Sequence, residues 1–394
     1  MQQNSRRAGA MVRCIRGYSA FVPVKLPPDP PIKFDDEMQG ILSQADRKLG
    51  RLDGITQVLP NPELFVAMYV KKEAVLSAQI EGTQASLVDV LNAPSEKDQS
   101  EFSRDGVREV VNYVEAMYWG LDKLNSLPLS LRLIRNIHEV LLKDVRGSNK
   151  NPGEFRESQN WIGPPGCTIE TASFVPPTVE DMINAMSDLE EFIHTEDNIP
   201  ALVKIAIIHA QFETIHPFLD GNGRMGRLLI TFWLCQQKIL GQPLLYLSYY
   251  FKQNRSEYYD RLMAVRSNGD WEAWIKFFLK GVAFVSDEAT NSAKDIIALR
   301  NKYSELLYEK DKNNSNYQPL LNALFENPVT TKKEAAELLG ISAPTAGALV
   351  DTFCEMGILG DLIPGKKRYK TFAFVEYLEI LQKGTELTGG DSFM

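Results

Sequence analysis

Residues 216 to 227 read His-Pro-Phe-Leu-Asp-Gly-Asn-Gly-Arg-Met-Gly-Arg, a loop that opens onto the start of a helix. Apolar residues recur at helical spacing before this stretch, up to Ile215. Pro217 disfavours helical geometry at His216, so the first helix is expected to end there. Apolar residues at helical spacing resume after the loop, which places the start of a second helix near Gly223. The stretch therefore predicts two consecutive helices joined by a tight loop.

This loop has the composition of an anion site. Gly221, Gly223 and Gly226 let the backbone approach a ligand without a Cβ in the way. The free N–H groups and the positive dipole end of the second helix attract negative charge. Arg224 and Arg227 lie three positions apart on the first helical turn, where cations oppose the helix dipole. We therefore expect a polyanionic ligand that compensates them.

Two further side chains of the loop indicate chemistry. Asp220 offers a hard carboxylate ligand, which suits Mg²⁺ shared with phosphate oxygens. His216 is a candidate general base at the mouth of the loop. The alternative, a glycine-rich helix start with an incidental histidine, is rejected because the whole stretch is too specific. It resembles, at every defined position, the signature of the Fic family, His-Pro-Phe-x-Asp/Glu-Gly-Asn-Gly-Arg-x-x-Arg.

The resemblance, which covers about residues 20 to 380, implies transfer of AMP from ATP to a Ser, Thr or Tyr hydroxyl of a protein, including self-modification. In that interpretation His216 deprotonates the hydroxyl and Asp220 holds Mg²⁺. The α-phosphate lies against the N–H groups of Gly221 to Gly223 and the Asn222 side chain, and Arg224 and Arg227 bind the β/γ end. Aromatic residues that line the base would be Tyr258 and Tyr259, which could equally belong to the core.

A helix is predicted from the Asn61-Pro62 start to Ile80, with Gly82 as its stop. Glu81 then faces the negative end of the helix dipole, which costs about 0.3–1 kcal/mol unless a cation offsets it. Ser77 to Gly82 matches the inhibitory motif of the family, Ser/Thr-x-x-x-Glu-Gly/Asn. The resemblance implies that Glu81 pairs with Arg227 and displaces the ATP γ-phosphate, with Ser77 one turn earlier on the same face.

Residues 151 to 177 alternate polar and apolar positions around Gly163-Pro164-Pro165-Gly166, which predicts a β-hairpin. In the Fic family a hairpin flap covers the catalytic loop and pairs with the target segment. Trp161 or Ile162 would clamp the target side chain, or else pack within the hairpin.

The other predicted elements are the following: an extended proline-rich arm within residues 1–33, a short helix opened by Ser86, a polar loop over 95–103, and helices near 104–124, 130–146, 178–194 and 271–310. His138 and His209 are interpreted as structural, and His194 as a surface residue. The spacing of His209 and His216, without a third ligand nearby, excludes a zinc site.

The C-terminal segment, about residues 317–380, resembles a winged helix-turn-helix. Its wing carries Lys366, Lys367, Arg368 and Lys370, which could contact phosphates. Its second helix, however, has no lysine or arginine, and base-reading helices usually need such side chains. DNA binding and a role in protein interaction or dimerisation therefore both stay open.

The composition is that of a globular protein without membrane segments. The 394 residues carry a net charge of −8, which argues against a general nucleic-acid-coating protein. Four scattered cysteines fit a reducing compartment, and no run has the length of a transmembrane helix or signal sequence. We expect a cytoplasmic protein with no membrane partner.

These patterns predict a mostly α fold with a Fic helical core, a hairpin flap and a C-terminal winged helix. The expected divisions are an N-terminal arm and inhibitory region over 1–100, a catalytic domain over 101–310 and the winged-helix-like domain over 317–394. The function that the residues and the resemblance favour is protein adenylylation, restrained by Glu81. Three alternatives stay open: removal of AMP, transfer of another nucleotide or phosphate group on the same loop, and a DNA-binding regulator that senses nucleotides. The family resemblance also suggests a homodimer.

Overall fold

The computed structural model describes residues 7–15, 17–56, 62–91, 101–362 and 370–386. Within these ranges the chain is mostly helical. In chain order its elements are β1 Gly9–Arg13, β2 Ser19–Pro23, α1 Asp36–Thr56, α2 Pro62–Ile80, α3 Leu87–Leu91, α4 Glu101–Leu124, α5 Leu131–Leu141, α6 Val179–His194, α7 Ala201–Ile215, α8 Asn222–Gln236, α9 Ser248–Gln253, α10 Arg255–Asn268, α11 Trp271–Lys310, α12 Tyr317–Glu326, β3 Val329–Thr330, α13 Lys332–Leu339, α14 Ala343–Glu355, β4 Leu359–Asp361, β5 Phe372–Phe374 and α15 Val375–Gln382.

Helix α7 lies at the centre of the fold. Every residue of α7 after Ala201 is buried, and most of α8 is buried as well. Helices α6, α8, α10 and α11 pack against α7, and the indole Nε1 of Trp274 donates to the carbonyl of Ala206 on α7 at 2.8 Å. The loop between α7 and α8 therefore emerges from the most rigid part of the molecule.

The predicted helix boundaries are confirmed where a local stop signal sets them. Helix α7 ends at Ile215 because His216, before Pro217, takes left-handed backbone geometry with φ 50°. Helix α2 ends at Ile80, and Gly82 follows with φ 90°. The Asn61 position lies outside the described residues. Helix α6 begins after Thr178, whose side chain accepts from the Asp181 N–H.

The N-terminal region differs from the expected extended arm. Strands β1 and β2 pair antiparallel, from Gly9 opposite Pro23 to Arg13 opposite Ser19. Ala20 and Phe21 are buried, and Phe21 donates its N–H to the carbonyl of Val175 at 2.9 Å. The hairpin forms because these inward side chains complete the core beside α6 and α7. Helix α1, which follows, packs along α11 and is also absent from the predicted elements.

Three other predictions need correction. Residues 154–162 and 168–175 do not form a β-hairpin; a single antiparallel bridge joins Ile162 and Phe174. Residues 101–103, expected in a polar loop, belong to α4, and residues 92–100 lie outside the described part. Helix α5 ends at Leu141, short of residue 146, and turns follow.

The C-terminal segment contains α12, α13, α14 and a three-stranded antiparallel sheet in the order β3-β5-β4. Thr331 caps α13 in a capping box with Glu334, and Ser342 caps α14. Helix α15 returns to the helical core and packs against α11 and α2. The interpretation of this segment as a winged helix stays a prediction, since residues 363–369 lie outside the described ranges.

Candidate active site

The loop between α7 and α8 is closed by its own side chains. Asn222 accepts from the Phe218 N–H through Oδ1 and donates to the Phe218 carbonyl through Nδ2, both at 2.8 Å. Gly221 precedes α8 with φ 75°, a conformation that favours glycine. The N–H groups at the start of α8 are thus presented on a fixed loop. The Asn222 side chain is engaged within the loop here, in contrast to its expected role on a phosphate.

His216 presents a neutral imidazole to the site. Burial, with the nearby cations Arg266 and Arg156, lowers the pKa of His216 to about 3. Its Nδ1 is buried and has no hydrogen-bond partner among the described residues. A neutral imidazole has a ring nitrogen whose lone pair can accept a proton, and an anionic ligand in the site would raise the pKa of His216 toward its ordinary value.

Arg156 and Asn160, to which the sequence motifs assign no role, hold the loop in place. Arg156 donates through Nε to the His216 carbonyl at 3.1 Å, and its N–H donates to the Pro217 carbonyl at 2.9 Å. Asn160 donates to the carbonyls of His216 and Phe218 at 3.1 and 2.9 Å. Two of the polar positions in residues 154–162 are therefore loop supports, so their place in the alternation does not mark a strand.

Arg224 is a buried cation without hydrogen bonds. Its side chain is 1% exposed, and its three nitrogens have no hydrogen-bond partner among the described residues. The carboxylates of Asp220 and Glu109 lie at 3.5 and 3.6 Å, so they compensate the charge from a distance. A buried guanidinium with all its donors unused is costly unless a ligand supplies acceptors.

Arg227, one turn later, has three hydrogen bonds to the segment that carries Glu81. It donates through Nε to the Ser77 hydroxyl at 2.8 Å and through Nη2 to the Ser77 carbonyl at 3.0 Å. Nη2 also bonds Glu81 Oε1 at 2.7 Å. The same Oε1 lies so close to Gly223 that a Cβ there would overlap it. The Glu81 carboxylate thus occupies the anion position at the start of α8.

Glu81 is ionised in this position. Burial alone would raise its pKa, but the charge and hydrogen bond of Arg227 outweigh burial, and the pKa of Glu81 is lowered. Two other carboxyls near Arg227 behave differently, because burial raises the pKa of Glu73 and of Glu213 to about 7. Glu81 is therefore the principal counter-charge of Arg227.

Asp220 is positioned for a cation that a ligand brings with it. Its side chain is 31% exposed, its Oδ1 accepts from the Gly221 N–H at 2.6 Å, and its carbonyl is 2.9 Å from His138 Nε2. Within the described ranges, no group of three or more His, Cys, Asp or Glu side chains could hold a metal. One exposed carboxylate fits Mg²⁺, which usually completes its shell with waters and substrate phosphates.

His138 and His209 are structural, as expected. The His138 ring stacks on Phe218 with centroids 3.7 Å apart, and it accepts from the Gly153 N–H. His209 is fully buried between the Gly226 carbonyl and the Tyr258 hydroxyl, each at 2.9 Å. His194 is an exposed residue.

The remaining predicted site residues differ in how far their side chains are exposed and in what they contact. Tyr258 is buried on His209, whereas Tyr259 is 40% exposed, so only Tyr259 has a face for a base. Gly226 faces Glu213 and Phe212 of α7, which makes it a packing position and not a phosphate contact. Trp161 is 42% exposed with Nε1 on the Cys167 carbonyl, and Ile162 makes the bridge to Phe174.

Glu109 on α4 is a further neighbour of the site that no local pattern indicates. It is 4% exposed, and its Oε2 accepts from the Thr83 hydroxyl at 2.6 Å while facing Arg224. Thr83 lies two residues after Glu81. Glu109 therefore links two parts of the site: it bonds Thr83, in the segment that carries Glu81, and it pairs with the buried guanidinium of Arg224.

Of the four basic residues expected on the wing, Lys370 is the one that lies in the described part of the chain, and it is paired with a carboxylate. Lys366, Lys367 and Arg368 lie outside those residues. Lys370 pairs with Asp361 at 2.9 Å, and Lys332 pairs with Asp351 of α14 at 2.6 Å. None of the helices in the described ranges combines the length and apolar composition that crossing a bilayer needs.

Comparison with known proteins connects this geometry to a family. The family model described as "Fic/DOC family N-terminal" matches residues 40–122, and the one described as "Fic/DOC family" matches residues 128–234. The second match contains the loop from His216 to Arg227, and the first contains Ser77 and Glu81.

Curated relatives carry the same domain. The chain is 29% identical over 178 residues to a protein named protein adenylyltransferase Fic of Drosophila grimshawi, covering 44% of this chain and 33% of the relative. It is 29% identical over 247 residues to the protein of that name of Drosophila mojavensis, covering 60% of this chain and 44% of the relative. The matches thus span between a third and half of the relatives' length.

The fold itself has a solved counterpart. A crystal structure of a Fic family protein from Desulfovibrio desulfuricans G20 superposes with a TM-score of 0.56 at 19% identity, covering 87% of this chain and 97% of that one. At this identity the likeness shows the mostly helical fold alone.

Proposed function

Because the chain belongs to the Fic/DOC family, we propose that it is a protein adenylyltransferase, which transfers AMP from ATP to a Ser, Thr or Tyr hydroxyl of a protein. The observation that carries the proposal is Arg224. Its buried guanidinium leaves three nitrogens without hydrogen bonds among the described residues at the start of α8, which follows the loop that begins with the neutral His216. A triphosphate supplies the acceptors that this cation lacks.

The geometry supports a division of roles. The target hydroxyl oxygen attacks the α-phosphorus, its proton passes to the neutral imidazole of His216, and the bond from the α-phosphorus to the bridging oxygen breaks, releasing pyrophosphate. The N–H groups at the start of α8 face the charge that develops on the phosphoryl oxygens. Arg224 binds the departing end. Asp220 would hold Mg²⁺, which supplies neutralising charge on the phosphates.

We further propose that Glu81 restrains this activity. Its carboxylate lies on Arg227 and against Gly223, where a phosphate of ATP would lie. Both groups are anions of similar size, so they compete for the same donors. Release of Glu81 from Arg227 would therefore be required before the γ-phosphate could bind.

The test is incubation of purified protein with α-labelled ATP and Mg²⁺. The wild type should label weakly, Glu81→Gly strongly, and Glu81→Gly/His216→Ala not at all. Glu81→Gln is the matched variant, because it keeps the side-chain size and removes the charge that pairs with Arg227. Label of equal intensity in the double variant would contradict the role of His216, and label that stays low in both Glu81 variants while ATP binds would contradict the restraint.

A further inference from the structure

The segment that follows α15 lies against the residues that carry Glu81. We define this C-terminal tail as residues 384–386 and the Glu81 turn as residues 81–86. The Glu81 turn closes α2 through backbone bonds from Glu81 to Ala78, and from Gly82 to Gln79, both at 3.0 Å. A residue of the tail, Thr385, is 2% exposed although it lies close to the end of the described chain.

Gln79 joins the Glu81 turn to the tail. Its side-chain amide Nε2 donates to two carbonyls at 3.0 Å, that of Ala85 in the turn and that of Thr385 in the tail. Its Oε1 accepts from Lys252 Nζ at 2.8 Å, and the same Nζ donates to the Glu386 carbonyl at 2.8 Å. Because Gln79 is 6% exposed, losing either carbonyl would leave a buried donor short of a partner.

The packing of Gly384 shows that the tail fits one position closely. Gly384 has φ 85°, and a Cβ built on it would overlap the ring of Tyr249 at the start of α9. The neighbouring Lys383 pairs with Glu288 of α11 at 2.7 Å. The tail is therefore held between α9, α11 and α2 by contacts that come from three parts of the chain.

From these contacts we propose that Gln79 is a positioning residue that keeps Glu81 on Arg227 only while the C-terminal tail is docked. The inference rests on the proposed restraint by Glu81 and adds what controls it. When the tail leaves, Gln79 loses its acceptor on Thr385, and Lys252, which also donates to Gln79, loses its acceptor on Glu386. The Glu81 turn is then held less firmly. A ligand or protein that moves α15 would thereby free the nucleotide site.

The experiment compares Gly384→Ala, which removes the room for the tail, with Gln79→Met, which removes all three hydrogen bonds of the side-chain amide at similar length. Gly357→Ala is the matched control, because Gly357 also has positive φ and lies in the C-terminal segment, but a Cβ there meets nothing within 4 Å. Hydrogen exchange is measured at the amides of Glu81, Gly82 and Thr83. We expect exchange roughly tenfold faster in the first two variants than in wild type or Gly357→Ala.

This readout does not depend on catalysis. Unchanged exchange in Gly384→Ala and Gln79→Met, or an equal increase in Gly357→Ala, would overturn the inference. Transfer from α-labelled ATP is then measured on the same proteins, with Glu81→Gly as reference, and Gly384→Ala should label several-fold more than Gly357→Ala. Failure of Glu81→Gly to label would count against the proposed function, while the exchange rates would still decide whether the tail holds the turn.

Discussion

Arg224 and Arg227 carry the same charge and lie one helical turn apart, yet their surroundings differ. Arg227 has hydrogen bonds to Ser77 and Glu81, whereas Arg224 has carboxylates no nearer than 3.5 Å. Removing one partner of a buried ion pair leaves an uncompensated charge, and the cost is smaller when the two charges lie farther apart and share no hydrogen bond. The two arginines should therefore respond differently to the same substitution.

We expect Arg227→Met to lower the free energy of unfolding by about 3–5 kcal/mol, because Glu81 is then left without its cation. Arg224→Met, on the same helix, should cost at least about 2 kcal/mol less. Urea denaturation of both proteins measures the difference. Equal losses would show that Arg224 is as well compensated as Arg227.

Thr83 gives a second test at this scale. Its hydroxyl donates to the buried Oε2 of Glu109, so Thr83→Val leaves that carboxylate one donor short. We expect a loss of about 1–3 kcal/mol in the free energy of unfolding. Thr83→Ser keeps the hydroxyl and is the control. If Thr83→Val is as stable as wild type while Thr83→Ser is less stable, the methyl contact and not the hydrogen bond is what matters at this position.

At the scale of elements, α8 and α1 place glycines in opposite environments. A Cβ at Gly226 of α8 would overlap Glu213 Oε1 on α7, whereas a Cβ at Gly50 of α1 would meet nothing within 4 Å. Glycine inside a helix is otherwise unfavourable relative to alanine. The close approach of α7 and α8 thus explains one glycine, and nothing in the packing explains the other.

Gly226→Ala should therefore destabilise the protein by about 1–3 kcal/mol through overpacking. Gly50→Ala should stabilise it by about 0.5–1 kcal/mol, because alanine restricts the unfolded chain and fits the helix. Thermal unfolding of the two variants beside wild type checks both signs. A stabilised Gly226→Ala would mean that α7 and α8 are farther apart than described.

Elements with local boundary signals were predictable, and those defined by distant contacts were not. Helix α2 ends before a glycine, α7 ends at a proline-restricted histidine, and α6 begins at its threonine cap. Helix α1 has apolar residues at helical spacing, from Met38 to Leu52, but its three glycines weaken the pattern. The pairing of Glu81 with Arg227 followed from the motif, whereas the bonds of Ser77 to Arg227 and the contacts of Glu109, Gln79 and the tail depend on the folded chain.

At the scale of the whole molecule, buried titratable groups act in opposite directions. Burial lowers the pKa of His138 to about 4 and the pKa of His209 and His216 to about 3. For these groups the unfolded chain binds more protons, so stability falls as pH drops below about 6.5. Burial raises the pKa of Glu73 and Glu213 to about 7, so these two carboxyls increase the free energy of unfolding as pH falls from about 7 toward their pKa in the unfolded chain.

Between about pH 6.5 and 4.5 two carboxyls therefore offset two of the three histidines, and the free energy of unfolding should change gently. Below about pH 4.5 Glu73 and Glu213 are protonated in both states and no longer offset the histidines, and carboxyls with a lowered pKa such as Glu81 lose their stabilising charge, so the free energy of unfolding should fall more steeply with pH. Urea denaturation at half-unit steps from pH 4 to 7 measures the two slopes. A uniform slope across the whole range would contradict the opposing titrations.

The 40-residue helix α11 sets how forces on the C-terminal segment reach the core. From Glu288, beside the tail, to Lys310 it extends about 33 Å, whereas α15 spans only about 12 Å. Glu376 of α15 pairs with Lys302 within this stretch of α11 at 2.9 Å, so α15 should follow a displacement of this end of α11. Two side-chain hydrogen bonds, from Gln79 and from Lys252, hold the tail, so a partner that binds beyond Lys310 and shifts α11 and α15 together would need to break few contacts to release it.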